Sequence, residues 1–356
     1  MANVWSSAKI LEFDYAGIEA KLLGWFMRDP AYMRLAALGM HAYVASHVMG
    51  DPADLSWPDD DLAAYFRDIK HAKDAETQRI YKGSKRVVHG NGYGQTVMGV
   101  FLANQDLFPT MKKAQEIFEV YFAVAPNLPT FHTAVRHTAH EQGYLGGAEP
   151  YDYQPEARKV VGHPYQYLHW FNSVVRYERL TEAQRLWRSK RTFPLIEING
   201  LWYGIALGED AKRCVAFYPQ GTARGVLTEA SFPLFDPDEP AADQFYIGDV
   251  YYGDTPLRAP IHDSLMLEVP TRKVDLVIER VVTALTQPIR ALPCPLEWGV
   301  GACLTVGVDG AIGDDWGSME DLDLANVVAS DVPYSPAEDE DEEDVEALEV
   351  PLVRTA

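Results

Sequence analysis

The sequence predicts an α+β fold, with strands near both ends and a largely helical middle. Three observations carry this. Apolar, strand-like runs end on an aspartate at Phe13-Asp14 and again at Ile261-His262-Asp263. Between them, apolar residues recur mostly at helical spacing. Residues 195–207 and 260–269 instead show the alternation of β-hairpins.

The elements follow in order. Residues 9–14 read as a short strand, and Ile18, Leu22, Leu23 and Phe26 then share one helix face. A second helix is expected over 39–49. Residues 55–61, with Pro58 and an aspartate triplet, read as a solvated loop. Residues 75–90 are helical and basic, 111–125 are amphipathic, and 130–142 form another helix. Residues 145–155, rich in Gly, Pro and Tyr, predict a loop or hairpin. Residues 176–191 read as a basic helix. The hairpin over 195–207 turns at Asn199-Gly200, a dipeptide that tolerates left-handed backbone. A helix is expected within 211–227, two strands surround a tight His262-Asp263 turn over 260–269, and 304–308 reads as a further strand. From Ser335 the chain is acidic and expected to be disordered.

Composition sets broad limits. The chain has 356 residues, enough for one large or two ordinary domains, and 47% hydrophobic content supports a sizeable core. No apolar run is long enough to predict a membrane span, and the N-terminus has no signal-peptide pattern, so a cytoplasmic protein is expected. Cys214, Cys294 and Cys303 lack C-x-x-C spacing and read as reduced structural cysteines. The net charge is −21, and removing residues 331–356 leaves −12. Such a chain grips nucleic acid only through a local basic surface.

Two carboxylates at strand ends, with a lysine-bearing helix between them in sequence, suit metal-assisted phosphoryl transfer. Asp14 ends the first strand, and Glu19 falls in the first turn of the following helix. In the middle segment, Lys85, His89 and Tyr93 recur every four residues and share a helix face, with Lys82 three residues earlier. Cations at one end of that face and rings at the other suit a nucleoside triphosphate. Asp263 sits exposed at a hairpin turn between alternating Ile261, Leu265, Leu267 and Val269. The bland readings are a helix-dipole acid, a basic surface helix and a turn-forming aspartate. His132, His137 and His140 share one helix without the partners of a zinc site and read as packing or surface residues. The cluster over 176–191 divides evenly between a DNA-backbone contact and a solvated face.

In this order and wording, the motifs resemble those of family A DNA polymerases, of the polymerase I and phage type. The first, Asp14-Tyr15-Ala16-Gly17-Ile18-Glu19, matches D-Y-S-x-I-E, with Ala16 for the serine. The second matches R-x3-K-x7-Y-G at Lys85, Tyr93 and Gly94, but Tyr81 stands in the arginine's place and His89 in that of a Phe or Tyr. Lys82 or Arg79 is then expected to supply the missing charge. The third, His262-Asp263-Ser264, resembles H-D-E, with Ser264 for the glutamate. Met40-His41-Ala42 with Ala45 and Gly50, the run Pro219-Gln220-Gly221-Thr222-Ala223, and Trp316-Gly317 resemble further family segments.

The resemblance implies an α+β right-hand polymerase. Its antiparallel palm sheet would come from residues 1–27 and 211–330, its helical fingers from 28–210, and its acidic tail from 331–356. It implies two Mg²⁺ ions held by Asp14, Asp263 and the Tyr15 backbone. Glu19, His41, Lys82, Lys85, His89 and Tyr93 would contact the dNTP. Glu19 would exclude a 2′-hydroxyl, and Lys85 would bind the triphosphate and protonate the leaving pyrophosphate. Lys212, Arg213, Gln220 and His262 would contact primer-template DNA. Only thirteen residues precede Asp14, too few for the thumb or exonuclease that family members carry there. Either this is a truncated chain or a second chain supplies them, and a split phage polymerase working with other replisome proteins fits. A catalytically silent polymerase-like scaffold is the alternative. RNA synthesis by the related single-subunit polymerases is a third reading, opposed by Glu19.

Overall fold

The computed structural model describes residues 8–189, 195–235, 257–261 and 263–324. The first strand, β1 (Ala8–Tyr15), buries Leu11, Phe13 and Tyr15 completely and turns Glu12 and Asp14 to the opposite face. Gly17 then takes a left-handed backbone at φ 65°, where a Cβ would be strained, and the chain enters α1 (Ile18–Met27). The expected face of Ile18, Leu22, Leu23 and Phe26 is buried. So are Trp25 and Met27, so α1 is a core helix covered on nearly every side.

Seven helices follow. α2 (Pro30–Leu38) was not legible from apolar periodicity, yet its start is signalled locally: the Asp29 side chain accepts from the Tyr32 amide at 3.0 Å and proline occupies the first turn. α3 (Met40–Met49) matches expectation. α4 (Asp59–Lys70) corrects it, because the aspartate triplet opens a helix instead of lying in a loop. Three acids in the first turn complement the helix dipole, while Leu62, Phe66 and Ile69 supply the buried stripe. α5 (Ala75–Gly92) is capped by Asp74, which accepts from the Thr77 amide at 2.8 Å. Next come α6 (Val97–Ala103), α7 (Met111–Val124) and α8 (Leu128–Gln142). His132 on α8 is buried and bonded through Nε2 to the Gly92 carbonyl at 2.8 Å, so it is a packing residue.

Short antiparallel pieces come next. β2 (Tyr144–Gly146) pairs with β5 (Leu168–Trp170), and β3 (Asp152–Gln154) pairs with β4 (Lys159–Val161). The basic segment expected as one helix divides into β6 (Val175–Arg179) and α9 (Glu182–Ser189). Its first part is drawn into a three-stranded sheet by β8 (Leu201–Leu207), which also pairs with β7 (Leu195–Ile198). Asn199 and Gly200 both have positive φ, as a tight two-residue hairpin requires.

The last third returns to β1. Helix α10 (Arg213–Phe235) packs on α1 and α8. β9 (Leu257–Ile261) and β10 (Ser264–Pro270) form the expected hairpin, followed by α11 (Val274–Leu285), β11 (Val308–Gly313) and β12 (Glu320–Asp321). Together with β1 they make an antiparallel five-stranded sheet in the order β12-β11-β1-β10-β9. The fold is therefore α+β. The strand expected over 304–308 begins only at Val308. Leu304 instead exchanges backbone bonds with Ile289 and Leu292, which removes it from the ladder. The three cysteines are free. Among the described residues no helix is long and apolar enough to cross a membrane. The acidic stretch from Ser335 lies outside the described residues.

Gly24 is where α1 meets α2: a Cβ there would run into the Met33 side chain and lie 3.1 Å from both the Met33 amide and the Tyr32 ring. A mid-helix Gly→Ala change gains roughly 0.5–1 kcal/mol, but overpacking costs about 1–3 kcal/mol. The clash involves backbone, so Gly24→Ala should be net destabilising by about 1 kcal/mol or more, read as a lower urea midpoint.

Candidate active site

Strand register builds the acidic end of the site. On the open face of the sheet, Asp14 of β1 stands directly opposite Ser264 of β10 on one side and Asp309 of β11 on the other. The Tyr15 amide donates to the Asp263 carbonyl at 3.4 Å, so the β9–β10 turn abuts the end of β1. Residues far apart in sequence, Asp14 and Asp263, are thus brought together. Burial, then the charges of Asp263, Asp309 and Glu12, push the Asp14 carboxyl up to about 7, and Lys85 opposes them. One side of Asp14 stays open to solvent, which leaves an approach for a ligand. The Tyr15 ring is core, so only its backbone borders this face. Among the described residues no group of three or more His, Cys, Asp or Glu side chains is gathered as a metal cage.

Asp309 was not singled out from the sequence. The strand expected over 304–308 stops one residue short of it. Its carboxylate accepts from Lys70 Nζ at 2.8 and 2.9 Å, which ties the end of α4 to the sheet. Lys70 was also missed, because nothing in its local sequence marks it out from other surface lysines.

Helix α5 supplies the facing wall. Lys85 and His89 are exposed on it, and Lys85 Nζ lies 5.3 Å from the centre of the buried Tyr81 ring. His89 Nδ1 is 3.2 Å from Glu19 Oε2, which joins α5 to α1. Burial alone would raise the Glu19 carboxyl. His89, Tyr93 and Gln220 around it outweigh burial and hold it below the ordinary carboxylate value. The Tyr93 hydroxyl is buried beside Glu19, but its geometry falls short of a hydrogen bond. The His41 ring lies 5.3 Å from that of His89. Burial, then the charges of His89, Lys85 and Lys70, push His41 down to about 3, so it is neutral near pH 7. Its Nε2 is buried without a partner. Glu19, His41, His89 and Tyr93 line one small cavity.

The remaining residues separate. Gln220 of α10 reaches Glu19 and shares a cleft of about 490 Å³ with Arg224, Thr228 and Asp263. Arg224 is a cation of that cleft that the sequence reading missed, although it is one helical turn past Gln220. Arg213 lies two turns before Gln220 on α10 and is paired with Asp210 at 3.0 Å. Lys212, just before the helix, is exposed. Lys82 is exposed on α5, and Arg79 is tied to Glu76 and to the Asp106 carbonyl, away from the site. His262 lies outside the described residues.

The sequence matches no protein-family model and no curated protein. Among solved structures, the chain is similar to the POL domain of Pol1 from M. smegmatis, in complex with DNA primer-template and dNTP. Identity is 16% and the TM-score 0.49, over 88% of this chain and 41% of that one. The chain thus spans less than half the length of that protein.

The raised Asp14 carboxyl has a pH consequence. Its folded value of about 7 lies above its ordinary 3.8, so the folded chain binds more protons than the unfolded chain between these values. Stability should fall as pH rises through that window and level off above it. Asp14→Asn removes the effect. In divalent-free buffer the variant should gain stability relative to the parent between pH 5 and pH 8, measured by urea denaturation. A gap that does not change with pH would contradict the arrangement.

Proposed function

We propose that this chain is the palm-and-fingers part of a template-directed DNA polymerase. The observation that carries the reading is the meeting of Asp14 and Asp263 at adjoining strand ends, opposite the Lys85-His89 face of α5. The motif resemblance supports it, as the same residues carry both. The palm would comprise residues 1–27 and 211–330, with the five-stranded sheet, α1, α10 and α11, and the fingers residues 28–210, which include the helices α2–α9.

The donor set suits magnesium. Its side-chain donors are carboxylate oxygens, which hard cations prefer, and the mutual repulsion that raises Asp14 is what a cation relieves. Asp14, Asp263 and the Tyr15 carbonyl would hold two Mg²⁺ ions. Bound there, the ions would activate a primer 3′-hydroxyl and offset charge on the leaving pyrophosphate. Lys85 would meet the phosphates and donate a proton to the pyrophosphate. His41, neutral and with an unpartnered buried nitrogen, would orient a phosphate oxygen without adding charge. His89 and Tyr93 would stack near the base and sugar, over the Glu19 carboxylate. Gln220, Lys212, Arg213 and His262 would contact primer-template. Glu19 is held ionised by its neighbours, so a ribose 2′-hydroxyl would meet an acceptor already engaged with His89.

A second reading, a silent polymerase-like scaffold, is favoured by Ser264 and by the lack of a three-ligand metal cage among the described residues. Asp14→Ala and Asp263→Ala decide between them. On the polymerase reading each lowers primer extension by orders of magnitude, about 10³-fold or more, with circular dichroism unchanged. Normal extension by Asp263→Ala would remove the catalytic assignment.

Glu19→Ala should raise ribonucleotide use. The kcat/KM ratio of dNTP over rNTP should fall by roughly tenfold or more, the scale of losing one discriminating polar contact. An unchanged ratio would mean that Glu19 does not gate the sugar.

A further inference from the structure

We propose that Lys70 is a second phosphate-binding cation of this site, held by Asp309 and handed over to the triphosphate when a nucleotide binds. The inference deepens the reading of the chain as a nucleotidyltransferase and rests on it.

A triphosphate brings several negative charges, and the cations facing it are few. His41 is neutral. Of the other bases on α5, Lys82 is exposed one turn before Lys85, Arg79 is bound to Glu76 and to the Asp106 carbonyl, Arg86 is bound to Asp106 and Asn104, and His89 is engaged with Glu19. Tyr81 occupies the helix position one turn before Lys85 and supplies no charge. Lys70 comes from a different element, yet its charge and that of Lys85 both act on His41. By geometry, Lys70 sits at the acidic end of the site through Asp309, the strand partner of Asp14.

Lys70 is also built into position. It ends α4, and its carbonyl accepts from the Gln78 side-chain Nε2 of α5 at 2.8 Å, which tethers its backbone to the helix that carries Lys85. Its side chain remains free to choose among anions. In this structure it takes both oxygens of Asp309, at 2.8 and 2.9 Å, with the lysine 35% and the aspartate 55% exposed. An ion pair so exposed is weak. A multiply charged phosphate chain competes well for the same ammonium, because a lysine is a mobile point charge on a flexible stem. The exchange would leave Asp309 unpaired beside Asp14, on the same row of the sheet.

The test is equilibrium binding of a dNTP and of the matching dNMP to the full chain with primer-template, in Ca²⁺ to prevent turnover. Lys70→Ala should weaken dNTP binding roughly tenfold, the scale of one charge-assisted hydrogen bond, and leave dNMP binding nearly unchanged. Lys70→Arg should restore most of the loss. Asp309→Asn should tighten dNTP binding by about threefold, since it frees the lysine, and should do nothing in the Lys70→Ala background. If the parent binds dNTP and Lys70→Ala binds it equally well, the proposal fails while the polymerase reading stands. An equal loss for dNTP and dNMP would also overturn it, as that marks general disturbance of the site. If the parent chain binds no dNTP at all, both readings fall.

Discussion

The rest of the structure depends on the register of β1 between β10 and β11. Side chains alternate along a strand, so this register puts Leu11, Phe13 and Tyr15 into the core and leaves Glu12 and Asp14 on the open face. A slip of one residue would bury Asp14 and expose Phe13. Full burial of one large apolar side chain is worth roughly 1.5–3 kcal/mol, and β1 buries three. Hydrophobic burial therefore outweighs the repulsion that gathers at Asp14. The core holds an acidic cluster in place that electrostatics alone would disperse.

That arrangement fits a site made to receive charge. Asp14 is raised by burial and then by its acidic neighbours, Glu19 is held below the ordinary carboxylate value by His89, Tyr93 and Gln220 against its burial, and His41 is kept neutral by burial and by nearby cations. The three groups lie within one small region, yet each is pushed in a direction set by its immediate surroundings. The overall negative charge says little about this region, where Lys70, Lys85 and Arg224 are interleaved with the acids.

Two chain segments meet at the site through few contacts. Helices α4 and α5 reach the acids of the site through single side chains: His89 to Glu19, and Lys70 to Asp309. Exposed polar contacts of this kind form and break at small cost. They are suited to a surface that must rearrange when a ligand enters, as closure of helices over a nucleotide would require.

The sequence by itself determined what short-range rules govern. The four-residue recurrence of Lys85, His89 and Tyr93, the strand that ends on Asp14, the hairpin around Asp263 and the Asn199-Gly200 turn are all local patterns, and all stand in the fold. Local rules also failed where a partner strand or a dipole intervened, at the split basic segment and at the aspartate triplet that opens α4. Only the tertiary structure decided that Asp309 faces Asp14, that Lys70 reaches Asp309 across 239 residues of chain, and that Gln220 meets Glu19. Those meetings depend on strand register and on helix packing between distant segments, and no periodicity in the sequence encodes them.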